Sequence, residues 1–165
     1  MIVVSNTSPL TNLAAIRQMG LLNLLFRQIH VPDALWQELR AGDIAWPGRA
    51  EVDTAPWIER NRVSASPFLT ELMGDLGPGE SEAIALALDL KADLILLDEK
   101  EGRRKARRVG LQVMGVGGVL LAAKAQHHLV EIRPCLDDLR HLAGFYLGEQ
   151  VYQALLAAAN ETPSR

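Results

Sequence analysis

The sequence predicts an α/β domain with a central parallel sheet flanked by helices, and three observations carry that prediction. Short apolar runs at residues 2–5, 29–31 and 93–97 have the length and composition of buried strands. Helix-patterned stretches separate them, the alternation expected of a parallel sheet with crossover helices. Asn6 and Asp98 stand where the first and third of these runs give out. In open parallel sheets, ligands bind beyond the carboxyl ends of the strands.

Each element has a local reason. After the first strand, Thr7-Ser8-Pro9 offers a hydroxyl cap and a first-turn proline, with Leu10, Leu13, Ala14 and Ile16 forming an apolar helix face. Leu21–Phe26 reads as a second short helix and 29–31 as the second strand. Pro32 opens a helix that buries Ala34, Leu35 and Leu39, carries Glu38 and ends near Gly42. Residues 43–66 are broken by Pro47, Gly48 and Pro56, with Trp46 and Trp57 expected to anchor them. Ser66-Pro67 starts a helix reaching about Met73, and Gly74 to Gly79 reads as a turn.

Glu80 to Lys91 forms the best helix pattern, with Ala83, Ile84, Ala87, Leu88 and Leu90 on one stripe. A strand at 93–97 leads through Asp98 into a basic helix over about 99–109. Leu111–Met114 is a further strand, 115–118 a glycine-rich turn and 119–126 a helix. The tail, about 131–160, holds helices at 134–142 and 148–160. Gly144-Phe145-Tyr146-Leu147 between them reads as a strand or an extended docking segment.

The 165 residues are expected to fold as one domain (1–165), with a hydrophobic fraction of 48% and 22% charged residues typical of globular proteins. No apolar stretch reaches the roughly 20 residues of a membrane span. The start lacks a signal-peptide pattern, and the single cysteine, Cys135, cannot form an internal disulfide. A cytoplasmic location is the expectation. The net charge of −3 makes no global case for nucleic-acid binding, yet residues 102–108 read Gly-Arg-Arg-Lys-Ala-Arg-Arg.

Asn6, Glu38, Glu80 and Asp98 are the candidate site. Oxygen side chains gathered at one sheet edge suit a hard divalent cation, Mg2+ or Mn2+, and such a site suits phosphodiester hydrolysis. Bland readings compete at each position. A strand-end aspartate is often a helix cap, Glu80 is a favourable charge at a helix start, and Glu38 alone would be a solvated helix residue. Glu82 lies two positions from Glu80 and points elsewhere on the helix, so it is secondary, as is Glu101. Thr7 either caps its helix or orients a water or phosphate. Arg103, Arg104, Lys105, Arg107 and Arg108 form either a solvated face or a phosphate-contacting one, and adjacency to Asp98 favours RNA contact.

Other chemistries fail on spacing. Gly115-Val116-Gly117-Gly118 falls short of a dinucleotide fingerprint, there is no P-loop, and the four histidines show no zinc pattern.

The segments Val-Val-Ser-Asn6-Thr-Ser-Pro-Leu, Val-Pro-Asp-Ala-Leu-Trp-Gln-Glu38-Leu, Gly-Glu80-Ser-Glu-Ala-Ile-Ala-Leu-Ala and Leu-Ile-Leu-Leu-Asp98-Glu resemble those of PIN-domain proteins. The similarity is to a prokaryotic branch related to VapC-type toxins, and the four segments occur in the family's order. It implies a Rossmann-like fold and a metal-dependent endoribonuclease, the toxin of a toxin–antitoxin pair. RNA as substrate, an antitoxin protein as partner and a homodimer follow from the same resemblance. Glu38, Glu80 and Asp98 would be the metal-site acids. The family's first-strand aspartate falls at Asn6, an amide that can ligate a cation or hold its water but brings no charge. Glu80 replaces a more usual aspartate. The rival expectation is a silenced PIN fold that binds RNA or a protein, and a third is a purely structural subunit.

Overall fold

A computed structural model describes residues 1–41 and 46–161. Its first strand, β1 (Val3–Ser5), is buried throughout, and α1 (Thr7–Ala15) follows without a loop. The cap of α1 is Asn6 rather than a hydroxyl: Asn6 keeps extended backbone (ψ 173°) and Thr7 is already helical. Next come α2 (Gly20–Phe26), β2 (Ile29–Pro32) and α3 (Asp33–Arg40). The expected helix end at Gly42 lies outside the described residues.

The irregular stretch contains more structure than its breakers suggest: α4 (Arg49–Thr54) and an edge strand, β3 (Ile58–Asn61). Trp57 packs against the core as expected of an anchor, whereas Trp46 is 52% exposed. In α5 (Pro67–Asp75), Ser66 caps as its sequence predicts, its Oγ accepting the Leu69 N–H at 3.0 Å. The predicted turn at 74–79 shrinks, because α5 runs on to Asp75 and α6 (Pro78–Asp89) begins at a first-turn proline.

The remaining elements are β4 (Leu94–Leu96), α7 (Lys100–Arg108), β5 (Val113–Met114), α8 (Val116–Ala125), α9 (Arg133–His141) and α10 (Glu149–Ala158). The glycine-rich turn at 115–118 is a helix start, with Gly115 as cap and Gly117 and Gly118 inside α8. A side chain at either position would crowd Leu155 or Met114, so the glycines serve packing rather than a turn. Residues 144–147 have no regular secondary structure and do not join the sheet, and Gly144 turns the chain with a positive φ of 65°. Phe145 and Leu147 dock on the core while Tyr146 points to solvent.

The five strands among the described residues are all parallel, in the order β3-β2-β1-β4-β5. The pleat sends alternate side chains to opposite faces. Val3 and Leu96 enter one core with α1, α2, α8, α9 and α10, while Val4, Ile95 and Leu97 enter a second with α5, α6 and α7. Burial on both faces explains why these strands are apolar runs rather than alternating patterns. β1 is central, and the chain turns from building one side of it to the other between β3 and β4. The Asn6 N–H donates to Leu96 O at 3.1 Å, tying the ends of β1 and β4 together at that switch point.

Candidate active site at the carboxyl edge of the sheet

A cleft of about 510 Å³ opens at that edge. Asn6, Thr7 and Ser8 bring the end of β1 to it, Glu38 comes from α3, and Gly79 and Glu80 come from the first turn of α6. Glu99 faces it as well, one residue beyond Asp98. Asn6 is only 4% exposed, so its amide is part of the floor.

Three glycines make room for the three predicted acids. A methyl at Gly79 would stand 2.9 Å from the Glu38 carboxyl carbon, one at Gly102 2.6 Å from Glu80 Oε2, and one at Gly115 2.8 Å from Asp98 Oδ1. Each distance is closer than a real Cβ tolerates, so a larger residue would displace the carboxylate it meets. Gly79 and Gly102 lie on helices that pack against the acid's own helix, and Gly115 caps α8.

Hydrogen bonds hold two of the acids. Thr7 Oγ1 donates to Glu38 Oε2 at 2.5 Å, so this hydroxyl orients a carboxylate instead of capping its helix. Asp98 Oδ1 accepts the Val116 N–H at 2.9 Å. Asp98 is thus a helix cap after all, but of α8, eighteen positions on, rather than of the helix that follows it. Among the described residues, its other oxygen, Oδ2, is buried without a hydrogen-bond partner, and Arg103 Nε is buried and unpartnered too.

Charge is poorly tolerated here. Burial pushes the Asp98 carboxyl up to about 6, against the lowering pull of the Val116 N–H and the Arg103 guanidinium, with Glu99 adding to the rise. Glu80 is also raised, by burial first and then by the carboxylates of Glu99 and Glu38. Such crowding is what a bound cation would relieve. Among the described residues, no three His, Cys, Asp or Glu side chains stand together as a ready-made metal cage. Magnesium-like ions do not need one: they are held by one or two carboxylates, waters and substrate phosphates. The unpartnered Asp98 oxygen, the glycine seats and the all-oxygen donor set therefore fit a hard divalent cation.

Glu82 and the basic residues are placed differently. Glu82 turns to the start of α3; burial raises its pKa, Asp33 and Glu38 add to the rise, and the Ala34 N–H pulls the other way. Glu101 is exposed and pairs with Arg104 at 3.0 Å. Of the basic residues, Arg103 bears on Asp98. Arg104, Lys105 and Arg108 face a separate cavity of about 250 Å³ beside Asp75, and Arg107 is exposed. No basic side chain is among the described residues lining the main cleft. Glu99, Thr11, Ala41, Trp46 and the seating glycines also shape the site, although the sequence pattern does not single them out. Adjacency to Asp98 is a usable signal for Glu99; Trp46 carries none.

Fold and cleft together define a Rossmann-like α/β protein with an acid-lined site at its switch point. Residues 2–161 match the DUF3368 family of PIN domains, and the chain belongs to that family. PIN domains are generally nucleases and typically use divalent metal ions. A solved structure, a PilT N-terminus domain protein (SSO1118) from the hyperthermophilic archaeon Sulfolobus solfataricus P2, superposes with a TM-score of 0.58. It is 21% identical, covering 74% of this chain and 93% of its own, which establishes the shared fold. No curated protein matches the chain significantly. No helix among the described residues is long and apolar enough to cross a membrane.

Proposed function

We propose that this protein is a metal-dependent endoribonuclease of the PIN type and the toxin of a toxin–antitoxin pair. The observation that supports the chemistry best is the seating of three carboxylates against glycines, Glu38 and Glu80 lining one cleft and Asp98 keeping a buried Oδ2 with no hydrogen-bond partner among the described residues. In this reading Glu38, Glu80 and Asp98 hold Mg2+ or Mn2+, and Asn6 is a neutral ligand or water anchor. When bound, the cation would lower the pKa of its water and offset charge developing on the phosphate.

The chain's own residues supply orientation. Thr7 fixes the Glu38 carboxylate, the first N–H of α8 fixes Asp98, and Arg103 partly offsets the Asp98 charge. Arg104, Lys105 and Arg108 would contact the RNA backbone outside the cleft, and Glu101 trims their charge. Incubation of RNA with the protein and manganese tests the reading. Cleavage that Asp98→Asn abolishes, with the circular dichroism unchanged, is the expected result; full activity in that variant would overturn the assignment.

The toxin role rests on the likeness of four segments to the VapC-related branch. Growth arrest on expression, relieved by Asp98→Asn, is its test. A homodimer and a cytoplasmic location belong to the same reading. One observation favours a second reading, a silenced PIN fold that binds RNA or a protein: the floor of the cleft at position 6 is a buried neutral amide. That reading requires no cleavage at millimolar manganese with binding retained.

A further inference from the structure

The chain has three tryptophans, and two of them are accounted for by packing. Trp57 lies against the core. Trp36 also packs there and has the guanidinium groups of Arg40 and Arg60 at 4.5 and 5.0 Å from its ring centre. Trp46 does neither. It is 52% exposed, it lines the acid cleft, and among the described residues no cation or other ring covers it. Exposing an indole costs the transfer free energy of a large apolar ring, so its position at a site is informative.

The cleft is lined by two kinds of residue, the acids Glu38, Glu80 and Glu99 and the uncharged Asn6, Thr7, Ser8, Thr11, Ala41 and Trp46. Ser8 Oγ accepts from Asn12 Nδ2 at 3.2 Å, which leaves the Ser8 hydroxyl hydrogen available as a donor in the same cleft. A phosphodiester belongs at the acids, where a cation would offset the charges. A nucleobase, uncharged and with an aromatic face, belongs at the indole.

Resting on the ribonuclease reading above, we infer that Trp46 is a stacking platform for an unpaired base next to the scissile phosphate. Stacking on an indole uses the flat face of a base, and in a duplex that face is covered by neighbouring base pairs. Ser8 supplies a hydrogen bond to the base edge or sugar. Trp46 is a positioning and specificity residue; the reacting atoms lie at the carboxylates.

The test uses the full wild-type chain in manganese buffer, with phosphorothioate linkages in the RNA to block cleavage, so that the cation site stays intact. A short single-stranded RNA, the same RNA as a duplex, and the same strand with one abasic nucleotide at each position in turn are titrated while tryptophan fluorescence is followed. The expected result is quenching by the single strand, weak or no quenching by the duplex, and loss at one abasic position. Trp46→Leu should weaken single-strand affinity about tenfold or more, and Trp46→Phe should recover most of it. Equal affinity for Trp46→Leu, or equal binding of single strand and duplex, overturns the inference, as does the absence of quenching. Cleavage by the wild-type chain is scored separately on product gels. Cleavage with the stacking result negative refutes only the platform, whereas stacking without cleavage refutes the nuclease and leaves an RNA-binding cleft.

Discussion

Asp98→Asn should make the metal-free protein more stable while destroying its function. The Asp98 carboxyl is raised from 3.8 to about 6, chiefly by burial. Each tenfold change in proton affinity between the folded and unfolded chain is worth about 1.4 kcal/mol, so the ionised carboxylate costs the metal-free fold about 3 kcal/mol at pH 8. Between the unfolded and folded pKa values the native state binds more protons, so stability falls as pH rises through that window. The penalty is small near pH 4, roughly half developed near pH 5 and complete above about pH 7. Asparagine removes the charge and keeps an oxygen for the Val116 N–H, forfeiting about 1 kcal/mol of charge-assisted bonding. The net gain at pH 8 is about 1–2 kcal/mol, or an increase in Tm of roughly 3–6 °C for a chain of this size. Thermal unfolding in EDTA at pH 8 and about pH 4.5 measures it. A destabilised variant at pH 8, or a gain independent of pH, would refute the reasoning. Manganese should reverse the order, stabilising the wild type alone.

Other perturbations separate the cation site from its scaffold. Asn6→Asp should tighten manganese binding, measured by calorimetry; unchanged affinity would place position 6 outside the cation's reach. Gly79→Ala should push the Glu38 carboxylate aside, weakening manganese binding severalfold while Tm moves by only a few degrees, because a flexible side chain yields more easily than backbone. Glu161→Ala should do the opposite. Glu161 accepts the Ile132 and Arg133 N–H groups at 2.8 and 3.1 Å and pairs with Lys124 at 3.0 Å. Its loss should cost about 1–3 kcal/mol in urea unfolding with manganese affinity unchanged.

Much of this arrangement is legible in the sequence because it is local. The apolar runs at β1 and β4 betray strands buried on both faces, and the N–H from Asn6 to Leu96 O joins the ends of those two strands. Helix α6 declares itself through its apolar stripe, and Ser66-Pro67 through its cap. What stays hidden depends on tertiary contact. β3 is an edge strand of Ile58, Glu59, Arg60 and Asn61, half-exposed and charged, so it lacks the apolar run that marks its neighbours. The glycines at 117 and 118 look like a turn until Met114 and Leu155 are seen to leave no room for side chains. Glu38 reads as a solvated helix residue, and only the packing of α3 against α6 places it over Gly79. The basic run 103–108 suggests one RNA-facing surface; helical rotation divides it, sending Arg103 toward Asp98 and Arg104, Lys105 and Arg108 to another cavity.

The central claim is that the acids at the carboxyl edge of the sheet form a site for a divalent cation. Calorimetric titration of manganese into the metal-free protein, with Asp98→Asn as its partner experiment, tests it most directly. Saturable binding in the wild type that disappears in the variant is the predicted result. Equal binding in both, or none in either at millimolar manganese, would contradict it.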